Sequence, residues 1–208
     1  MGETAVVHIV DDDASLRMAL ESLFRSVQLG CRLYGSAHEF FTAQRPELPS
    51  CLLLDIRLPG LSGLDFQQQL IQAQVQIPVV LMTGHGDIPM SVRGMKAGAI
   101  DFLTKPFRDQ DLLDAVGMAI EKDRQRRADA GDAARLRAVY ETLSAREREV
   151  MAAVVSGRLN KQIAADLNLA EITVKIHRGA AMRKMGARSL ADLVRMAESL
   201  QLKKGSGR

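Results

Sequence analysis

Asp11-Asp12-Asp13, Asp55, Thr83-Gly84 and Lys105-Pro106 are the places in this chain where side-chain type and position suit chemistry. Adjacent carboxylates repel. Hard divalent cations such as Mg²⁺ take such oxygens as ligands, commonly one or two carboxylates with water and a phosphate. Asp55 closes the apolar run Cys51-Leu-Leu-Leu, and Pro59-Gly60 turns the chain soon after. A lone carboxylate there is more often a helix cap or turn former than a reactive group. Thr83 offers a hydroxyl, and Gly84 removes a side chain beside it, so a phosphate can approach the hydroxyl and its backbone N–H. Lys105 offers an ammonium, which Pro106 holds on extended backbone by barring helical geometry. Together these groups would hold a cation, accept a phosphoryl group on a carboxylate and neutralise the product. The chain must first bring them together.

Each group follows a short apolar run. Residues 5–10, 31–34, 51–55, 77–82 and 99–103 read as strands, rich in β-branched and aliphatic residues and closed by turn formers. The run at 51–55 is apolar without alternation, as a strand buried on both faces requires. Between the strands lie amphipathic stretches at 15–27, 37–43, 63–73, 88–97 and 109–121. In the third of these, Leu64, Phe66, Leu70 and Ile71 are the expected inward residues. Five strands alternating with five helices predict a doubly wound five-stranded parallel sheet. Right-handed crossovers then set the ends of strands one, three, four and five along one crevice, the usual place for chemistry in such sheets. Asp11, Asp12, Asp55, Thr83 and Lys105 all fall on that edge.

Composition divides the chain in two. Residues 1–121 carry 9 Lys/Arg against 15 Asp/Glu, a net charge of −6, whereas residues 122–208 carry 19 against 10, a net of +9. An acidic half joined to a basic one predicts two domains, the second with a polyanionic partner. No apolar run approaches the roughly 18 residues that span a bilayer. The N-terminus does not read as a signal peptide. Cys31 and Cys51 stand in no metal or redox spacing, which suits reduced thiols in a cytoplasmic protein.

Beyond residue 121 the helical pattern continues through a charged, alanine-rich, proline-free stretch, read as a helical linker over 122–140. A helical domain follows over 141–208. Ser144 and Glu147 form a capping box at the start of its first helix. A short second helix begins at Asn160, and a basic third runs from Glu171 to Met185, the pattern of a helix-turn-helix. Ile172, Ile176, Ala180 and Met182 to Met185 are the expected inward positions of that third helix. Residues 189–200 form a fourth.

The first half resembles the receiver domain of two-component systems over residues 5–121. The FixJ/StyR type is carried by His85-Gly-Asp-Ile-Pro-Met90 and Met95-Lys-Ala-Gly-Ala99. The resemblance implies a flavodoxin-like fold with Asp55 as phosphoacceptor. It implies Asp12, Asp55 and the Arg57 backbone carbonyl as Mg²⁺ ligands, with Asp11 holding a water of the metal's shell. Thr83 and Lys105 would grip the phosphoryl oxygens, and Phe102 would be the aromatic that rotates inward on activation. The second half resembles the LuxR/NarL-type DNA-binding domain over 141–200. Its motifs are Leu-Ser-Ala-Arg-Glu-Arg-Glu-Val, Asn160-Lys-Gln-Ile-Ala, Thr173-Val-Lys-Ile-His177 and Met185-Gly-Ala-Arg-Ser-Leu190. This implies Val174 and Lys175 as readers of base edges, and Lys161, Thr173, His177, Arg178 and Arg188 as phosphate contacts. Gly179 departs from the pattern, since the family usually carries a larger polar residue there.

The implied protein is a response regulator. A sensor histidine kinase phosphorylates Asp55, and the product dimerises and binds promoter DNA, with RNA polymerase a further candidate partner. The alternative is a phosphorylation-independent dimeric DNA-binding regulator whose receiver is a scaffold. Enzyme readings fare worse. A phosphatase with an aspartyl nucleophile typically places a second acid two residues on, where this chain has Arg57. Neither G-x-x-x-x-G-K-[ST] nor G-x-G-x-x-G occurs. At most the chain would load its own aspartate and slowly hydrolyse the product.

Overall fold

The computed structural model of the chain describes residues 4–84 and 88–202. His85, Gly86 and Asp87 of the motif quoted above lie outside the described residues. The chain divides after Arg127 into two compact units.

The first unit runs β1 (Val6–Val10), α1 (Ala14–Ser26), β2 (Gly30–Tyr34), α2 (Ala37–Thr42), β3 (Ser50–Asp55), β4 (Arg57–Leu58), β5 (Leu61–Ser62), α3 (Gly63–Gln72), β6 (Val79–Thr83), α4 (Ile88–Lys96), β7 (Asp101–Thr104) and the start of α5 (Asp109–Glu141). Five parallel strands form one sheet in the order β2-β1-β3-β6-β7. Both faces are covered, so alternate residues of one strand enter different cores. Leu53 packs with Leu20 and Phe24 of α1 and with Leu112 and Val116 of α5. Leu52 and Leu54 pack with Phe40 of α2 and with Leu64, Phe66 and Leu70 of α3. This double burial explains the continuous apolar run at 51–54. The hairpin of β4 and β5 was not foreseen. It turns at Gly60, whose φ of +79° suits glycine, and it carries the chain from Asp55 directly into α3.

One residue of α3 corrects the sequence reading. Ile71 is 59% exposed, and Gln67 takes the inward place instead. The Gln67 amide donates to the carbonyls of Gly94 and Ala97, at 3.4 and 3.2 Å, so a polar side chain is held between α3 and the end of α4. Ile71 lies at the margin of the stripe that Phe66, Gln67 and Leu70 define.

The first-unit part of α5 buries Leu112, Ala115, Val116, Ala119, Ile120 and Asp123. Asp123 accepts from the Ser50 backbone N–H at 2.9 Å and pairs with Arg126 and Arg127, each at 2.6 Å. Burial pushes its carboxyl up, but the two guanidinium groups and the Ser50 N–H prevail and hold it below the usual carboxylate range.

His8 of β1 is wholly buried between Tyr34 and Phe40. Its Nδ1 lies 2.9 Å from the Tyr34 hydroxyl, and its Nε2 has no hydrogen-bond partner. Burial, reinforced by the charges of Arg45 and Arg32, lowers its pKa from 6.5 to about 4. The unfolded chain therefore takes up a proton near pH 6.5 that the native state refuses until about pH 4. Stability from this group is present above pH 6.5 and falls, by about 3 kcal/mol, as pH drops through that window. In urea unfolding at pH 7, 5.5 and 4.5, His8→Gln should show a shallower loss than the wild type. Parallel profiles would assign the acid sensitivity to other groups.

The second unit holds the end of α5 with α6 (Ala145–Val155), α7 (Asn160–Leu167), α8 (Glu171–Met185) and α9 (Leu190–Ser199). The capping box forms as its sequence requires. The Ser144 hydroxyl accepts from the Glu147 N–H at 3.3 Å, and Glu147 accepts from the Ser144 N–H at 2.7 Å. Asn168, in the left-handed region at φ +52°, ends α7, and Gly186 at +72° ends α8. The core joins Val150, Met151 and Val154 of α6 to Ile163 of α7, Val174, Ala181 and Met185 of α8, and Leu193 and Ala197 of α9. No helix among the described residues is long and apolar enough to cross a membrane.

Candidate functional site

β1, β3, β6 and β7 end along one edge of the sheet, and each delivers one part of the site. Asp11 follows the last residue of β1, Asp55 ends β3, Thr83 ends β6, and Lys105 follows β7. Asp13 caps α1, its carboxylate accepting from the N–H groups of Ser15 and Leu16, which fixes the turn holding Asp11 and Asp12. Asp11 accepts from the Asp13 N–H at 2.9 Å. One carboxylate oxygen from each of Asp11, Asp12 and Asp55 lies within 4.8 Å of the other two. Lys105 Nζ stands 2.7 Å from Asp11 Oδ2 and 2.8 Å from Asp55 Oδ2. The other Asp55 oxygen accepts from the Arg57 N–H at 3.0 Å, while the Arg57 side chain is exposed. The Lys105 N–H donates to the Thr83 carbonyl at 2.6 Å, tying the last two strand ends together, and the Lys105–Pro106 peptide is cis.

The charges are unequal. Burial raises the Asp11 carboxyl above its ordinary range, against the pull of Lys105 and the Asp13 N–H. Burial alone would lower Lys105, but its hydrogen bonds to Asp11 and Asp55 prevail and raise it. One ammonium thus faces three carboxylates, and an excess of negative charge remains for a cation to balance.

Gly63 is a residue of this site that the sequence reading passed over. It opens α3 directly against the strand end that carries Asp55. A Cβ there would lie 2.4 Å from the Asp55 carbonyl oxygen and 2.7 Å from Ile56 Cα. Its own N–H donates to the Ile56 carbonyl at 2.8 Å. Phe102 of β7 is half-buried and packs on the core that includes Leu81 and Leu54.

The second unit places the expected DNA-contacting residues unevenly. Lys161, Lys175 and Arg188 are exposed, and Thr173, His177 and Arg178 are half-buried. Lys175 pairs loosely with Glu171 at 3.5 Å. Arg178 reaches Asn160 at 3.4 Å across α7 and α8. Lys184 is drawn into the fold, 2.7 Å from Glu147. Val174 corrects the reading: it is 0% exposed, in the core, and cannot meet a base edge. Ile172 and Ile176, expected inward, are 64% and 62% exposed. At 3.6 residues per turn they stand roughly 160–200° around α8 from Val174. The spacing of Val174, Ala181 and Met185 was the signal that would have found this.

A parallel α/β fold with an acidic strand-end cluster, joined in one chain to a helix-turn-helix, defines a signal-receiving transcription regulator. Residues 7–117 match the response regulator receiver domain, and residues 141–197 match the luxR family of bacterial regulatory proteins. Nodulation protein W of Bradyrhizobium diazoefficiens is 58% identical over 196 residues, covering 94% of this chain and 86% of that protein. Transcriptional regulatory protein FixJ of Rhizobium meliloti is 43% identical over 192 residues, covering 92% and 94%. The solved structure of response regulator StyR matches at a TM-score of 0.81 and 44% identity, covering 94% of this chain and 98% of that one. The chain belongs to the response regulators of two-component systems, with a receiver domain and a LuxR-type DNA-binding domain. It stands among regulators rather than classical enzymes.

Proposed function

We propose that this protein couples phosphorylation of Asp55 to sequence-specific DNA binding in the cytoplasm, with a receiver over 1–121, a linker over 122–140 and a DNA-binding domain over 141–208. The observation that carries the reading is the convergence of Asp11, Asp12, Asp55 and Lys105 within hydrogen-bonding or ligand distance at the strand ends. The donor set fits Mg²⁺, which prefers hard oxygens. Asp11, Asp12, Asp55 and the Arg57 carbonyl would hold it, and when bound it offsets negative charge on a phosphoryl group.

An Asp55 carboxylate oxygen forms a bond to phosphorus as the P–N bond of a phosphohistidine on the sensor kinase breaks, and the freed imidazole takes up a proton. Lys105 already stands at Asp55 and neutralises the product. Thr83 moves toward the phosphoryl oxygens, and Phe102 follows inward. The altered face of α4, β7 and α5 then pairs with a second receiver. In the dimer, Lys175 reads base edges, while Lys161, Thr173, His177, Arg178 and Arg188 contact phosphates and RNA polymerase is engaged at the promoter. Hydrolysis of the acyl phosphate, slow and catalysed by the same pocket, resets the switch.

The test is a binding titration of full-length protein on duplex DNA in Mg²⁺, with and without acetyl phosphate. Phosphorylation should raise affinity by roughly 5- to 150-fold, the range of common allosteric couplings. Binding should weaken steeply with salt in both states, since phosphate contacts release counterions. Equal affinity with and without the phosphodonor would favour the phosphorylation-independent dimeric regulator.

A further inference from the structure

α8 presents two isoleucines to solvent, one helical turn apart and opposite the side chains that anchor the helix in its core. Single exposed apolar residues are ordinary on protein surfaces. A β-branched pair at i and i+4, each more than 60% exposed, is a feature of the face itself. The next turn of that face carries Gly179, where an added Cβ would meet only Arg183 Nη1, at 3.6 Å. The apolar contact surface is therefore short and limited to Ile172 and Ile176. Its surroundings are cationic, since α8 holds Lys175, Arg178, Arg183 and Lys184 against Glu171 alone. Glu171 is itself paired with Lys175. A short apolar strip on a basic helix fits the major groove, where the one apolar group at base edges is the thymine C5-methyl. A protein partner for the strip would have to tolerate the basic surroundings.

We propose that Ile172 and Ile176 read thymine methyl groups, so that the operator half-site carries two thymines beside the base pair contacted by Lys175. This rests on the DNA-binding reading of α8 and states which bases it selects. Four residues advance a helix by about 6 Å, close to two base steps of 3.4 Å. The methyl groups are accordingly expected about two steps apart along the groove. Gly179 adds no contact, so selectivity falls off one turn beyond Ile176.

The experiment uses the full chain with Mg²⁺ and acetyl phosphate to select a duplex from a random pool. Each thymine of the selected site is then replaced by deoxyuridine, which removes the methyl and leaves base pairing intact. At two positions the replacement should weaken binding about four-fold each, the value of one buried methyl. Ile172→Ala and Ile176→Ala should each erase the thymine–uracil difference at one of those positions, with the effects coupled in a double-mutant cycle. Both substitutions are at exposed helical positions where alanine is a good helix former, so folding is retained. Normal binding with no position sensitive to the methyl overturns the proposal. So does an undiminished uracil penalty in both variants, or loss of self-association in the alanine variants with the penalty unchanged. Failure to select any sequence overturns the DNA-binding reading itself, and this proposal with it.

Discussion

Asp55→Asn is expected to reduce Mg²⁺-dependent labelling of the protein by a small radioactive phosphodonor to background. Asparagine keeps the shape of the side chain but has no anionic oxygen to form the acyl phosphate. The fold should survive the change. Lys105 loses one of two partners yet keeps Asp11 at 2.7 Å, so neither group becomes an unpaired buried charge. Far-UV circular dichroism and the urea midpoint should stay near wild-type values, and EDTA should suppress labelling of the wild type equally. Label on the wild type should be lost in hydroxylamine, as an acyl phosphate is. Undiminished, acid-stable labelling of the variant would remove Asp55 from the role.

Gly63→Ala is expected to cost about 3 kcal/mol of stability, toward the upper end of what overpacking usually costs. The sign makes this prediction sharp. In a helix, exchange of glycine for alanine ordinarily stabilises by up to about 1 kcal/mol. Here the added methyl would meet backbone, the Asp55 carbonyl oxygen at 2.4 Å and Ile56 Cα at 2.7 Å, rather than a flexible side-chain tip. Either α3 or the end of β3 must move. Because Asp55 lies on the displaced segment, the rate of labelling should fall along with the urea midpoint. A stabilised variant that labels at the normal rate would show that the contact yields without consequence.

Much of the receiver was legible from residues 5–121 because its strands are buried on both faces. Double burial demands unbroken apolar runs such as Cys51-Leu-Leu-Leu, and turn formers close each of them. Capping is local as well, and Ser144 with Glu147 could be paired by spacing alone. The β4–β5 hairpin was not legible, since two residues per strand leave no periodic signal. Gln67 was not legible either. A polar side chain is buried in α3 only because carbonyls of Gly94 and Ala97, nearly thirty residues away, accept its amide protons. Gly63 read as an ordinary helix start, and its tight approach to Asp55 exists only once α3 is docked.

The sequence by itself determined which residues could do chemistry and that the strand order would gather them, because a parallel α/β sheet leaves its chemistry to one edge. It also determined that a basic helix-turn-helix follows an acidic receiver. Only the tertiary structure decided which side of α8 faces out. Ile172, Ile176 and Ala180 form one apolar stripe at helical spacing, and Val174, Ala181 and Met185 form another, so periodicity cannot choose between them. The choice belongs to the partners. α6, α7 and α9 supply one shared core, Val174, Ala181 and Met185 fill it, and the opposite stripe is left to whatever α8 meets outside the protein.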